Sequence, residues 1–284
     1  VKDPSISIVG PGRLGVALAT RLHSAGYRVC ELVAHHRVSP QLRRLAQAVR
    51  ATATTLNSAE LSGHLVWLCV PDSRIEATAA ELASRAWKGK IVFHSSGVLT
   101  SDTLVRLKEA GASVASVHPL MTFVQKSVPN LRDVPFAIEG DRLAMRVARQ
   151  AAKRVGGNPV TIRKQNKPAY HLFATLICPL LISLLAASEK AARLAGLSPA
   201  EARIRMLPII RQALSNYQQF GPSGSFTGPF ARGDVGTVRL QLNTLSRSPG
   251  IKAVYLALAE AALENLPHRR DHEIRRMLRG SRQS

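Results

Sequence analysis

The feature that most constrains this chain is a glycine-rich turn, Gly10-Pro11-Gly12-Arg13-Leu14-Gly15. It sits between an apolar run, Ser5–Val9, and a helical pattern with Leu14, Leu18 and Leu22 on one side. In a G-x-G-x-x-G turn the first glycine allows a tight bend. The second lets a pyrophosphate approach the backbone, and the third lets helix and strand pack closely. The amides that open the helix, and its dipole, then face the anion. Gly10, Pro11, Gly12, Arg13, Leu14 and Gly15 are therefore the candidate cofactor loop. Position gives the motif its weight. Further strand candidates follow at Arg28–Ala34, His64–Val70, Lys90–His94, Ala112–Val117, Pro135–Ile138 and Pro159–Ile162. Helix-start residues stand between them at Ser39-Pro40, Asp72-Ser73 and Asp141, where a side-chain oxygen or a proline suits the first turn. Strand and helix in alternation imply βαβ units with right-handed crossovers, hence an α/β fold with a doubly wound, mainly parallel sheet.

After about Ile162 the texture changes to long helical patterns without a convincing strand. Ser198-Pro199-Ala200-Glu201 is a capping box behind Gly196, and Gly221–Gly228 and Ser246–Gly250 are breaks. The expected organisation is a dinucleotide-binding domain over 1–163, an all-helical domain of about five helices over 164–267, and a basic tail over 268–284. That tail holds six Arg against two acids and reads as frayed. Ala169–Ser188 carries no charged side chain. A membrane span needs roughly 20 predominantly apolar residues, but Tyr170, His171, Thr175, Pro179 and Ser183 interrupt this one, so a buried helix or dimer interface is expected.

Charge and cysteines bound the remaining possibilities. The 284 residues carry 39 Lys+Arg against 18 Asp+Glu, a net charge of +21, with 45% hydrophobic content that excludes a disordered chain. Such a field attracts phosphates of any kind. Yet the basic residues are scattered, only 13 residues are aromatic, and no DNA- or RNA-binding motif appears, so no specific nucleic-acid partner is expected. Cys30, Cys69 and Cys178 form no spaced pair, which leaves neither a disulfide framework nor a zinc site and fits a reducing cytoplasm. No leader pattern opens the chain, and no membrane partner is expected.

Cofactor preference is read at the end of the second strand. An NAD site places an acid there for the ribose hydroxyls. Here Glu31 falls too early, and the strand runs out into Ala34-His35-His36-Arg37, with Arg43 and Arg44 following. His36 and Arg37 in place of an acid favour a 2′-phosphate, hence NADP(H) over NAD(H). Two later strand ends, Cys69-Val70-Pro71-Asp72 and His94-Ser95-Ser96-Gly97, lie where ligands bind in such sheets. Val70, Pro71 and Ser95 are assigned to the cofactor, and Ser96 to the substrate.

These residues carry a resemblance. Ile8–Gly15, His94-Ser95-Ser96-Gly97, Ser116-Val117-His118-Pro119-Leu120, Lys167-Pro168-Ala169-Tyr170-His171 and Gly228–Asp234 resemble, in order and spacing, bacterial proteins that join a Rossmann-like domain to domain of unknown function 2520. More distantly the chain is similar to the 6-phosphogluconate dehydrogenase-like, ketopantoate reductase and pyrroline-5-carboxylate reductase group. The resemblance implies an NADP-linked oxidoreductase whose helical domain dimerises; it implies no particular substrate. In the related hydroxyacid dehydrogenases a lysine opens the helical domain, with an asparagine one turn later. Here Lys167 is matched, but His171 stands in the asparagine's place. Reduction of C=O or C=N leaves negative charge on the heteroatom, which an ammonium can stabilise and protonate. Lys167 is thus the candidate proton donor, with His171 one turn along. His118 resembles the His-Pro histidine of prephenate dehydrogenases. Arg232 can clamp a carboxylate through its planar fork, with Asp234 holding it or capping the next helix. The expectation is hydride transfer to a small anionic carbonyl or imino acid at a cleft between the domains; the alternative is a non-catalytic NADP-binding regulator or scaffold.

Overall fold

The structure, a computed structural model, describes residues 4–125, 127–269 and 271–283. Chain contacts divide it into two units, Val1–Leu176 and Ile177–Ser284. The first is built on an eight-stranded sheet: β1 (Ser5–Val9), β2 (Arg28–Ala34), β3 (Thr52–Thr55), β4 (Leu65–Leu68), β5 (Ile91–His94), β6 (Ser113–Pro119), β7 (Pro135–Gly140) and β8 (Asn158–Thr161). Their order is β3-β2-β1-β4-β5-β6-β7-β8. The first six strands are mutually parallel; β7 reverses direction against β6, and β8 runs parallel to β7. The doubly wound, mainly parallel sheet is thus the observed one, with a reversed pair at one edge.

Register decides where the chemistry goes. Val9 pairs with both Val33 and Leu68, Leu68 with His94, and His94 with Ser116. One row therefore crosses five parallel strands, at or near the C-terminal ends of β1, β2, β4 and β5 and at the middle of β6. One or two positions beyond the members of the row lie Gly10, His35, Val70, Ser95 and His118, all within segments singled out from the sequence.

Apolar alternation fills both faces. Ile6, Ile8, Leu32, Trp67, Phe93 and Phe136 point to one side, with α1 (Arg13–Ser24), α2 (Pro40–Ala48) and, further along the chain, Arg142–Arg154. Val9, Val33, Val66, Leu68 and Val92 point to the other, where α3 (Asp72–Leu82) and the short α4 (Val105–Glu109) cover them. Arg142–Arg154 is α5, and α6 (Lys167–Ile177) closes the unit. Ser39 caps α2 as expected, accepting from the Leu42 amide at 3.1 Å. Asp141 does not cap α5: its carboxylate accepts from the Val114 amide at 3.0 Å and pairs with Lys108, tying β6 to the α5 entry.

The second unit is helical: α7 (Pro179–Leu194), α8 (Pro199–Ser225), α9 (Pro229–Arg232), α10 (Val235–Thr244), α11 (Pro249–Asn265) and α12 (Asp271–Gln283). The Ser198/Glu201 capping box that opens α8 is formed, and Gly221 kinks that helix with φ +68°. Two expectations need correcting. The basic tail is not frayed: Ile274 and Leu278, one turn apart on α12, are 0% and 1% exposed and join Val238, Leu242, Leu256 and Leu263 in the core. Six arginines hid an i, i+4 apolar pair. Nor is the uncharged run a buried helix. Cys178, ahead of Pro179, breaks it into α6 and α7, and Leu172, Phe173, Leu176, Leu180 and Ile182 are exposed. By length and composition alone, Lys164–Leu194 is long and apolar enough to cross a membrane.

Candidate active site

The glycine loop has the geometry its sequence dictates. Gly10 adopts φ +84° and donates its amide to the Val33 carbonyl at 2.9 Å, fastening the loop to the end of β2. A Cβ on Gly10 would lie 2.9 Å from the backbone of Cys69 and Val70, and one on Gly15 would lie 2.6 Å from the Gly10 carbonyl oxygen. Gly12 is different: a Cβ there would meet nothing within 4 Å. A ligand can therefore approach the Gly12 Cα closely at the start of α1, whose first-turn amides have no partner within the helix. That free space fits the pyrophosphate of a dinucleotide. Arg13 is exposed, and Leu14 and Pro11 are half-buried beside it.

Around the loop, Val70 touches Gly10, and Pro71 is exposed at the start of α3. Ser95 has a structural bond as well: its hydroxyl accepts from the Trp67 indole at 2.7 Å. Glu31 is excluded as a ribose ligand. Its carboxylate is buried and accepts from Ser7 Oγ (2.9 Å), the Glu60 amide (2.9 Å) and the Ser62 amide (2.8 Å). His36 and Arg37, beyond the end of β2, are exposed.

The reacting-centre candidates of the first unit meet at the ends of β5 and β6. Lys167, first residue of α6, is 1% exposed. Its ammonium donates to the Ser96 carbonyl at 3.0 Å and to Ser116 Oγ at 2.7 Å, while Ser116 Oγ donates to the same Ser96 carbonyl at 3.3 Å. Burial pushes the Lys167 pKa down to about 8, against the opposing pull of the Glu139 and Asp72 carboxylates. Ser96 donates its hydroxyl to Asp72 at 2.7 Å and accepts from the Val98 and Leu99 amides. It thereby shapes the turn rather than presenting a free hydroxyl.

That turn carries Gly97, packed under two imidazoles. A Cβ there would lie 2.4 Å from His171 Cδ2 and 2.9 Å from His118 Nε2. The two rings stand edge to face with centroids 6.0 Å apart, and Tyr170 stacks edge-on to His118 at 6.3 Å. Burial, the Lys167 charge and His171 together push the His118 pKa down to about 4, so its ring is neutral at physiological pH. Its Nδ1 is buried with no hydrogen-bond partner among the described residues. A buried ring nitrogen left open costs free energy unless a ligand or water satisfies it, so it marks where a polar group belongs. His94, directly below, is fully buried. Its Nδ1 accepts from the Ser96 amide at 3.1 Å and its Nε2 sits 3.0 Å from the Thr100 carbonyl, which fixes the neutral Nε2–H tautomer.

Lys167, His118, His171 and Ser96 are thus brought together, whereas Arg232 and Asp234 belong to the second unit. Asp234 caps α10 by accepting from the Thr237 amide (3.1 Å) and hydroxyl (2.8 Å). Arg232 is largely exposed, 3.9 Å from that carboxylate. His94, Gly97, Ser116, Tyr170 and Asp72 carry no functional assignment from the sequence, Asp72 being read only as a helix start. All but Asp72 lie inside the segments that carried the resemblance, and Asp72 opens α3.

Sheet order, glycine loop and appended helices together define a Rossmann-type α/β protein with a helical second unit. Residues 2–119 match the Rossmann-like domain, and residues 134–262 match the domain of unknown function DUF2520. No curated protein matches its sequence. Among solved structures it is similar to a protein provisionally named an NADP oxidoreductase from Bacteroides fragilis. That pair has a TM-score of 0.80 and 21% identity, over 93% of this chain and 99% of that one. A Thermotoga maritima protein superposes with a TM-score of 0.69 at 24% identity, over 91% and 97% of the two chains. A reductive aminase from Aspergillus terreus, in complex with NADPH and ethyl-5-oxohexanoate, does so with 0.66 at 15% identity, over 93% and 94%.

Proposed function

We propose that this protein is an NADP(H)-dependent oxidoreductase that reduces a small carbonyl or imino acid. The carrying observation is the buried Lys167 ammonium, bonded to Ser96 and Ser116 next to the Gly97 turn, against which His118 and His171 pack. The nicotinamide supplies the hydride. Gly10–Gly15, Val70, Pro71 and Ser95 border the cofactor, and His36 and Arg37 face its 2′-phosphate. His118 and His171 meet the substrate, and Lys167 provides the positive charge and the proton for the heteroatom. The similar folds of a reductive aminase, an imine reductase and a pyrroline-5-carboxylate reductase support the C=N or C=O class. The protein acts as a homodimer through its helical unit, supported by the exposed Leu180, Ile182, Leu207, Tyr217 and Phe220. It works in a reducing cytoplasm, supported by three unpaired cysteines.

The test is to mix purified protein with NADPH or NADH and a panel of 2-oxo acids, ketopantoate and 1-pyrroline-5-carboxylate, and to follow nicotinamide absorbance. Turnover of any member supports the reading; failure to bind either dinucleotide overturns it. A second reading, a non-catalytic NADP-binding regulator, draws on the fact that Lys167 is buried and donates to two acceptors inside the protein, as a structural lysine would. Cofactor binding without turnover across a broad metabolite panel supports that one.

A further inference from the structure

At the end of β2, four side chains from two elements form a chain of contacts. Arg74 on α3 reaches back to His35, with Nη2 3.0 Å from His35 Nε2. His35 Nδ1 lies 2.7 Å from His36 Nε2, the two rings standing edge to face. Glu81, two turns along α3, lies 3.5 Å from His35 Nε2 and 3.7 Å from Arg74. The directions of these bonds follow from the donors. A guanidinium only donates, so His35 Nε2 must accept; His35 Nδ1 then carries the proton and donates to His36 Nε2. In this state His35 is neutral and Arg74 is occupied. A proton added to His35 Nε2 makes that nitrogen a donor. It then turns to Glu81, and Arg74 is released. His36, Arg74 and Glu81 are the titratable and charged groups that contact His35. The cluster stands beside the glycine loop, because Gly10 is bonded to Val33, two residues before His35.

We propose that His35, His36, Arg74 and Glu81 form a proton-linked receptor for the 2′-phosphate of NADP(H). The phosphate recruits Arg74 from His35, and His35 takes up a proton from solvent and passes to Glu81. NAD(H), which lacks the phosphate, leaves the neutral relay intact and takes up none. Discrimination between the two dinucleotides is then a function of pH, strongest where protonated histidine is accessible and fading as pH rises. The inference rests on the cofactor reading above and adds Arg74 as a phosphate contact, with His35 and Glu81 as the proton-linked pair behind it.

The experiment is calorimetric titration of the full chain with NADP⁺ and with NAD⁺ at pH about 7.5, in two buffers of different ionisation enthalpy. There the phosphate, whose second pKa is about 6, is already a dianion and takes up little itself. Net proton uptake with NADP⁺ and none with NAD⁺ is expected. The NADP⁺ Kd then weakens by up to about tenfold per pH unit as the pH rises. His35→Asn should abolish the uptake. Glu81→Gln, which leaves the relay in place but removes the carboxylate that receives protonated His35, should reduce it. NADP⁺ binding without uptake, equal uptake with both dinucleotides, or uptake unchanged in both variants overturns the proposal. Absence of binding by either dinucleotide overturns it together with the cofactor reading.

Discussion

At the scale of single residues, the decisive question is what Lys167 does inside the protein. Burying an ammonium is costly, and its bonds to Ser96 and Ser116 offset only part of that cost. Lys167→Met keeps the length and removes the charge, and Ser116 can still bond the Ser96 carbonyl. We expect thermal stability to change by no more than about 1 kcal/mol, while turnover falls on the order of 10²-fold or more. A melting curve and a rate on the same preparation check both. If the variant turns over normally, Lys167 is structural. The pKa near 8 adds a pH test. Lys167 is charged below that value and loses its proton above it, so the reductive rate should fall across an alkaline limb centred near pH 8. The stability sign is opposite. A lysine whose folded pKa is depressed penalises the fold while it is charged. That penalty is complete below about pH 8 and fades as pH rises towards the unfolded lysine's ordinary value. Lys167→Met should flatten both profiles. Lys167 and His118 were legible because a resemblance pointed at them. His94 was not given a role, since only the folded register places it beneath Ser96.

Elements were legible where period and punctuation agreed. β1, β2, β5, α2 and the capping box of α8 follow their sequence signals closely. The strand Thr52–Thr55 escaped notice because Thr-Ala-Thr-Thr is a short, partly exposed edge with no apolar alternation. The reversal at β7 has no local signature either; a connection of more than a dozen residues without a helix was its only trace. The glycine loop allows a paired test. Gly12→Val adds bulk where nothing lies within 4 Å, so it should leave the melting temperature nearly unchanged but abolish NADPH binding, read by cofactor fluorescence. Gly10→Ala meets a positive φ and backbone at 2.9 Å, so it should lower stability itself, by about 1–3 kcal/mol. At the other end, Ile274→Ala in α12 should cost about 2–5 kcal/mol in denaturant unfolding. A frayed tail would tolerate it without loss.

For the whole molecule, the charge of +21 shrinks to a more limited meaning. In the proposed function Lys167, Arg74 and Arg37 have places, and anionic ligands would gain from the general field; most of the remaining arginines are then surface charge. The exposed apolar side chains of α7 and α8 set the expected assembly. Light scattering should give a dimer, and Leu180→Asp with Ile182→Asp should shift it to monomer. A monomeric wild type removes the dimer from the picture. Both tryptophans lie in the sheet unit, each 1% exposed, with Trp67 bonded to Ser95 and Trp87 to the Leu82 carbonyl. Tryptophan emission is therefore a private channel to that unit, whereas far-ultraviolet circular dichroism sums the helices of both. Transitions that coincide in the two spectra would mean the units melt together; transitions that separate would give each its own stability, without cutting the chain. Because the Trp67 indole N–H donates to Ser95, which the proposed function places at the cofactor's border, the same emission should register the moment a dinucleotide arrives.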